Sequence, residues 1–278
     1  MSRAVGLDAT AIRSLAPAPL FSLGGRVALV TGAAGGLGQW FAAGLGAAGA
    51  AVLVTDIDLD AIDGLVSVLG DAGIVAAGVA VDLADDKAPE RLVATAVEQF
   101  GGLHVLVNNA AVNRRMPILE VDRETWDWIM RIDLRQPYFL SQAVARRMIE
   151  QGTGGAIVSI SSLNAAYALE QVSVYGPAKA GISQLTKVMA LEWAEHGIRA
   201  NAIAPGFMDT PLAAPIWADD EIQRWILNRV PIERPGFPRE LVGACLLLAS
   251  DAGSFLTGQT LYVDGGASAG GRWFHPDR

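Results

Sequence analysis

Seven short apolar runs, rich in valine and isoleucine and spaced along the chain, constrain its fold more than any other feature. They are RVALV (26–30), AVLVT (51–55), IVAAGVAV (74–81), LHVLVNN (103–109), GAIVSIS (155–161), IRANAIA (198–204) and QTLYVDG (259–265). Most are apolar at successive positions rather than alternate ones. A strand of that kind must be covered on both faces, as in a parallel sheet between layers of helices. The stretches between have helical character: 39–49, 59–71, 86–100, 122–151, 174–196 and 238–250. The longest, 122–151, sets Trp126, Ile129, Ile132, Phe139, Val144 and Met148 roughly on one side. The alternation predicts an α/β fold: a single doubly wound Rossmann domain with a seven-stranded parallel sheet and helices on both faces. Residues 21–267 form this domain, 1–20 an N-terminal arm and 268–278 a C-terminal tail. No internal repeat, low-complexity tract or linker divides the chain. The segment from Pro205 to about Ala218 holds three prolines and reads as a long functional loop.

The chain has 278 residues, enough to bury a core without covalent staples. Its one cysteine, Cys245, leaves no intrachain disulfide, which fits a cytoplasmic setting. A net charge of -8 argues against nucleic-acid partners and anionic membranes. Val27–Thr55 carries no charge and could pass for a membrane span. Its seven glycines and early turn cluster fit a strand–turn–helix–strand better.

The segment VALVTGAAGGLGQ (27–39) joins the first strand to a helix through Gly32, Gly36 and Gly38. Glycine is required where such a turn is tight and where backbone must approach a pyrophosphate, which the following helix N-terminus attracts. Leu37 lies inside this turn. Asp56 closes the second strand, 24 positions after Gly32. A carboxylate there accepts bonds from ribose hydroxyls and repels a 2′-phosphate. No Lys or Arg stands between Thr31 and Asp56 to offset it, so NAD is expected in preference to NADP. Asp58 is better placed than Asp56 to cap the next helix. Asp82, with Leu83 beside it, ends the third strand and faces the adenine. Asn108 and Asn109, followed by Ala110, end the fourth strand at the switch point, where buried amides need hydrogen-bond partners.

Tyr175 and Lys179 lie four apart in SVYGPAKAG (173–181) and are neighbours on one helical face. Pro177 is tolerated only in a first turn, so the helix should start near Val174. A helix N-terminus and an ammonium both favour a negative phenol oxygen. For the phenol to serve as a base near pH 7 to 8, its ionisation must be eased by roughly 3 to 4 kcal/mol. Ser162 ends the fifth strand, 13 residues before Tyr175, where its hydroxyl can bond a substrate oxygen. None of His104, His196 and His275 stands in a triad or metal spacing, and no metal is expected.

Taken together, Thr31-Gly32-x-x-x-Gly36-x-Gly38, Asn108-Asn109-Ala110, Ser162, Tyr175-x-x-x-Lys179 and Pro205-Gly206 resemble the short-chain dehydrogenases/reductases over about residues 21–267. The resemblance implies hydride transfer between NAD(P) and an alcohol or carbonyl, in a homotetramer or homodimer. It assigns Ser162 to orienting the substrate oxygen and Tyr175 to proton exchange. Lys179 holds the nicotinamide ribose and favours the ionised tyrosine, and Pro205, Gly206 and Thr210 border the nicotinamide. One position departs from the pattern. Where the family usually has an asparagine that relays protons through water, this chain has Asp133, seven positions after Trp126. It joins the catalytic set as a carboxylate able to hold the same water while opposing the field of Lys179.

Residues 217–236 and 258–266 are similar to the sugar-acid and polyol members of that family, gluconate 5-dehydrogenases among them. Arg114 and Arg115, after the fourth strand, can hold a substrate carboxylate bidentately, or can be surface arginines. Asn164, Met208 and Trp217 complete the expected substrate residues. Two other readings stay open: a more apolar secondary alcohol or ketone, given Met208, Leu212, Ile216 and Trp217, and a dinucleotide-binding scaffold without turnover.

Overall fold

The computed structural model describes residues 16–270. Most of the expected arm, residues 1–15, and most of the expected tail, residues 271–278, lie outside the described residues. Strands β1 (Val27–Thr31), β2 (Ala51–Asp56), β3 (Ala76–Ala80), β4 (Val105–Asn108), β5 (Gly155–Ile160), β6 (Ile198–Pro205) and β7 (Thr260–Val263) form one sheet. The order is β3-β2-β1-β4-β5-β6-β7 and every pairing is parallel. Chain direction reverses across the sheet between β1 and β4, so their carboxyl ends bound the crevice where ligands bind in such sheets.

The double-sided apolar strands are explained by two cores. Ala28, Val30, Val52, Val54, Val105 and Val107 point to one face. There they pack with Phe41 and Leu45 of α1 (Gly38–Ala47) and, from near the C-terminus, with Cys245 and Leu248. Val27, Leu29, Leu53, Leu106 and Ile157 point to the other, against Leu92, Leu140, Val144 and Met148. Neighbouring strand residues thus serve opposite cores, and neither face tolerates a polar series. Helices α2 (Leu59–Asp71) and α3 (Ala88–Phe100) complete the first half. Asp58 caps α2, its side chain accepting from Ala61 N at 3.1 Å.

The segment expected as one helix over 122–151 is broken into three. Helix α4 (Arg123–Met130) and α5 (Gln136–Gln151) are joined by a π-helical turn at Arg131–Arg135. The wider turn rotates α5 relative to α4, so the expected apolar side does not stay continuous. Ile129, Ile132, Val144 and Met148 are buried, whereas Trp126 and Phe139 are 45% and 41% exposed. The same turn carries Asp133 inward. Helix α6 (Tyr175–Trp193) starts one residue later than expected, with Pro177 in its first turn. The 205–218 segment is less irregular than expected, holding short helical turns at Pro211–Ala213 and Ala214–Trp217 before α7 (Asp220–Leu227). Helix α8 (Val242–Ala249) follows a 3-10 turn at Pro238–Leu241. At the other end, Pro17–Leu20 is a helical turn and Leu23 is buried against the first core. Among the described residues no helix is long and apolar enough to cross a membrane.

Candidate active site

The turn after β1 is closed by side chains from β1 and β4. Thr31 Oγ1 accepts from Asn109 N at 3.0 Å and Ala110 N at 3.1 Å. Asn109 Nδ2 donates to the carbonyls of Thr31 and Gly32, both at 2.9 Å. The turn leaves no room for side chains. A Cβ on Gly38 would lie 2.2 Å from Gly32 O, and Gly32, at φ +60, would place one 2.8 Å from Ala110 Cα. Asp56 Oδ2 accepts from Ala34 N at 3.1 Å and Oδ1 from Ile57 N at 2.8 Å, fixing its carboxylate against the turn. Gly36 faces Thr210, so the segment after β6 returns to the same turn as Leu37. Asp82 Oδ1 accepts from Ala84 N, with Leu83 between them. Asn108 does not face the crevice. Its buried Nδ2 donates to Ser141 Oγ at 2.9 Å and Ser159 Oγ at 3.2 Å, bracing β4.

Tyr175 is the first residue of α6 and is half-buried. The Lys179 ammonium lies 5.5 Å from the centre of its ring. Lys179 is only 2% exposed, a rare state for lysine unless it is paired. Its Nζ donates to Ile160 O, the last carbonyl of β5, at 3.1 Å and stands 3.5 Å from Asp133 Oδ2. Asp133, with no exposed surface, accepts from Val112 N at 2.8 Å through Oδ1. Oδ2 has no hydrogen-bond partner among the described residues, and 3.5 Å is a long ion pair. Burial pushes the Asp133 carboxyl above its ordinary range, while Lys179 and the Val112 N–H pull it back.

Ser162 follows β5, and its Oγ accepts from Asn164 N at 3.1 Å. Asn164 packs on the first turn of α6: a Cβ on Gly176 would meet Asn164 O at 3.4 Å. The preceding residue ties the two elements together, Ser161 Oγ donating to Lys179 O at 3.0 Å. Gly206 continues β6 against Asp264, and its N donates to Val263 O. Trp217 Nε1 donates to Met208 O at 3.1 Å. Leu163 shares a small core with Ile226 and Val230, against which Phe207, Ile216 and Trp217 pack. The segment from Phe207 to Val230 therefore covers the turn that presents Ser162. Arg114 donates to Thr125 Oγ1 at 3.0 Å and lies over the Trp128 ring, which directs it to α4; Arg115 is exposed.

The Ile160 carbonyl was not foreseen, because a backbone acceptor leaves no mark in sequence. Nor was a contact between Tyr167 and Arg229, whose only signal is the four-residue spacing of Trp225 and Arg229. Among the described residues no group of three or more His, Cys, Asp or Glu could hold a metal.

A family model described as enoyl-(acyl carrier protein) reductase matches residues 32–268. The gluconate 5-dehydrogenase of Gluconobacter oxydans (strain 621H) is 39% identical over 247 residues, 89% of this chain and 96% of that protein. The cis-4-hydroxycyclohexanecarboxylate dehydrogenase of Sinomonas cyclohexanicum is 40% identical over 245 residues, 88% of this chain and 97% of that protein. A gluconate 5-dehydrogenase from Burkholderia cenocepacia J2315, solved in complex with NADP and tartrate, superposes with a TM-score of 0.87 at 36% identity, covering 91% of this chain and 99% of that one.

Proposed function

The chain belongs to the short-chain dehydrogenase/reductase family, and from that premise we propose that it interconverts a secondary alcohol and a ketone on a sugar acid or polyol, with NAD as hydride carrier. The observation that carries the reading is the buried Lys179 ammonium, held by Ile160 O beneath the Tyr175 ring at the start of α6.

The residues fit a dinucleotide. The turn excludes a Cβ at Gly32 and Gly38, which leaves its backbone open to a pyrophosphate. Gly32, Gly36, Leu37 and Gly38 would hold the phosphates and Asp56 the adenosine ribose. Asp82 and Leu83 would border the adenine, and Asn109 and Ala110 the crevice floor. Tyr175, Lys179, Pro205, Gly206 and Thr210 would surround the nicotinamide end. A nicotinamide held there would supply hydride exchange at the carbon bearing the oxygen. Ser162 donates to that oxygen and fixes its direction. Tyr175 takes the hydroxyl proton in oxidation and returns it in reduction. Lys179 keeps a positive charge beside the phenol, and Asp133 sets how much of that charge the phenol feels.

Asp56 supports NAD over NADP by charge, whereas three solved relatives at 36–37% identity hold NADP, which favours the phosphorylated carrier. The three named relatives are dehydrogenases of gluconate or of a hydroxycyclohexanecarboxylate, molecules that pair a hydroxyl with a carboxylate, which supports a hydroxy acid here. Met208, expected at the substrate, is instead buried in the first core, while Phe207, Ile216 and Trp217 of the segment covering the Ser162 turn favour a second reading, a less polar secondary alcohol. A homotetramer or homodimer belongs to the same proposal, supported by apolar side chains exposed on α5 and α6. So does a cytoplasmic setting, supported by the single cysteine, Cys245, which can form no intrachain disulfide.

The test is purified protein with NAD or NADP and a panel of aldonates, alditols and cyclic hydroxy acids, followed at the NADH absorbance band. Tyr175→Phe should lower kcat about 10²- to 10⁴-fold while dinucleotide binding persists. Dinucleotide binding without turnover across the panel would leave the scaffold reading instead.

A further inference from the structure

Arg229 follows α7 and belongs to the segment that covers the Ser162 turn. Its guanidinium lies 3.6 Å from the centre of the Trp225 ring. Arg229 Nε donates to Tyr167 Oη at 3.3 Å. Tyr167 is five residues past Ser162, and its N donates to Leu163 O at 2.9 Å, so the residue that holds Arg229 at the surface belongs to the turn that follows Ser162. The stack is itself anchored, since Trp225 meets Phe207 edge-on at 6.4 Å and Phe207 follows Gly206.

Among the described residues this arginine differs from its neighbours in being held without being neutralised. Arg234 is paired with Glu240, and Arg114 is engaged by Thr125. Arg229 forms no ion pair with another described residue. Its Nη1 has only a 3.5 Å contact with Trp225 O, and no described residue partners Nη2. A guanidinium held over an indole, with Nε taken, Nη1 only weakly engaged and Nη2 unpartnered among the described residues, can still receive carboxylate oxygens.

We propose that Arg229, positioned by Trp225 and Tyr167, binds the carboxylate of a hydroxy-acid substrate and so selects acids over neutral polyols. The inference rests on the substrate reading above. It assigns the carboxylate to the covering segment rather than to Arg114, and it sets the reacting carbon at the far end of the molecule from the acid group.

The experiment compares wild type, Arg229→Gln and Tyr167→Phe on a hexonate and on the alditol of the same carbon skeleton, with NAD saturating. For Arg229→Gln, KM for the hexonate should rise about 10- to 100-fold, the loss of a bidentate charged contact. Its kcat should stay within about 2-fold, and KM for the alditol within about 3-fold. Tyr167→Phe should raise the hexonate KM alone, by about 3-fold. If Arg229→Gln raises both KM values equally, or lowers kcat for both, Arg229 only holds the covering segment and the proposal is overturned. If the acid preference survives Arg229→Gln, another cation holds the carboxylate and the substrate reading stands without this residue. Wild type that prefers the alditol overturns the substrate reading and this assignment together.

Discussion

At the scale of single residues the site is governed by charge balance around a buried ion pair. A lone buried ammonium would give Tyr175 its full field, but Asp133 stands 3.5 Å from Lys179 and accepts a bond from Val112 N. Burial raises the Asp133 carboxyl, yet the ammonium and the backbone N–H oppose that rise and favour its charged form. Its negative charge then cancels part of the positive field at the phenol. Asp133→Asn removes that cancellation and makes the negative phenol easier to form. The rising limb of the pH dependence of kcat/KM for alcohol oxidation should therefore move to lower pH, by about 1 unit. A limb that stays in place in Asp133→Asn would take Asp133 out of the proton balance. Space is the second constraint at this scale. Gly38→Ala would set its Cβ 2.7 Å from both Ala33 Cα and Asn109 Nδ2 as well as against Gly32 O, all at a rigid turn. It should cost about 1 to 3 kcal/mol in urea unfolding and weaken dinucleotide binding in titration calorimetry. Unchanged binding would mean that the turn is not the phosphate cradle.

At the scale of elements, helix starts place the chemistry, and their stability rests on local caps. The 3-10 turn leading into α8 is closed by Glu240, which accepts from Phe237 N at 2.8 Å and from Arg234 at 2.6 and 2.8 Å. These partners lower its carboxyl from 4.5 to about 2. A depressed carboxyl stabilises the fold above its unfolded value, and that contribution fades as pH falls from about 4.5 toward 2. The side chain is 37% exposed, so solvent screening leaves about 1 kcal/mol or less. Glu240→Gln should show that loss in chemical unfolding at pH 7, shrinking on acidification; a loss that grew in acid would contradict the assignment. Much of this level was legible in the sequence, because the physics acts over a few neighbouring residues. Double-sided apolar runs demanded a covered parallel sheet, Pro177 fixed the start of α6, and Asp58 marked the start of α2. The π turn at Arg131–Arg135 was not legible. It carries Asp133 to Lys179 and Val112, both distant in sequence, and no local pattern encodes those contacts. The Tyr167–Arg229 contact was hidden for the same reason, joining positions 62 apart.

At the scale of the whole molecule, the charge of -8 keeps copies apart, so apolar side chains left on the surface call for a reason. Two sets stand out. One lies along α5 and α6, where Tyr138, Phe139, Ile149, Val188 and Leu191 are exposed, Leu191 by 83%. The other is at the far edge of the sheet, where β7 has no outer neighbour among the described residues and Phe255 and Tyr262 are exposed. A closed tetramer with dihedral symmetry is built from distinct self-complementary contacts, and two separate patches are the minimum that permit one. The two patches should therefore act independently. Wild type should sediment as a tetramer, Leu191→Glu as a dimer held through the β7 edge, and Leu191→Glu with Phe255→Glu as a monomer. Leu119→Glu serves as the control, because Leu119 is 97% exposed but belongs to neither patch, and it should leave the mass unchanged. Sedimentation velocity at several concentrations separates these masses. A wild-type monomer throughout would refute self-association, and a tetramer that survives Leu191→Glu would show that α5 and α6 do not form the contact. Dissociation should also separate assembly from chemistry. Tyr175, Lys179, Asp133 and Ser162 all come from one chain and are fixed by its own β5, α6 and π turn. The Leu191→Glu dimer should thus keep its kcat while unfolding at a lower temperature.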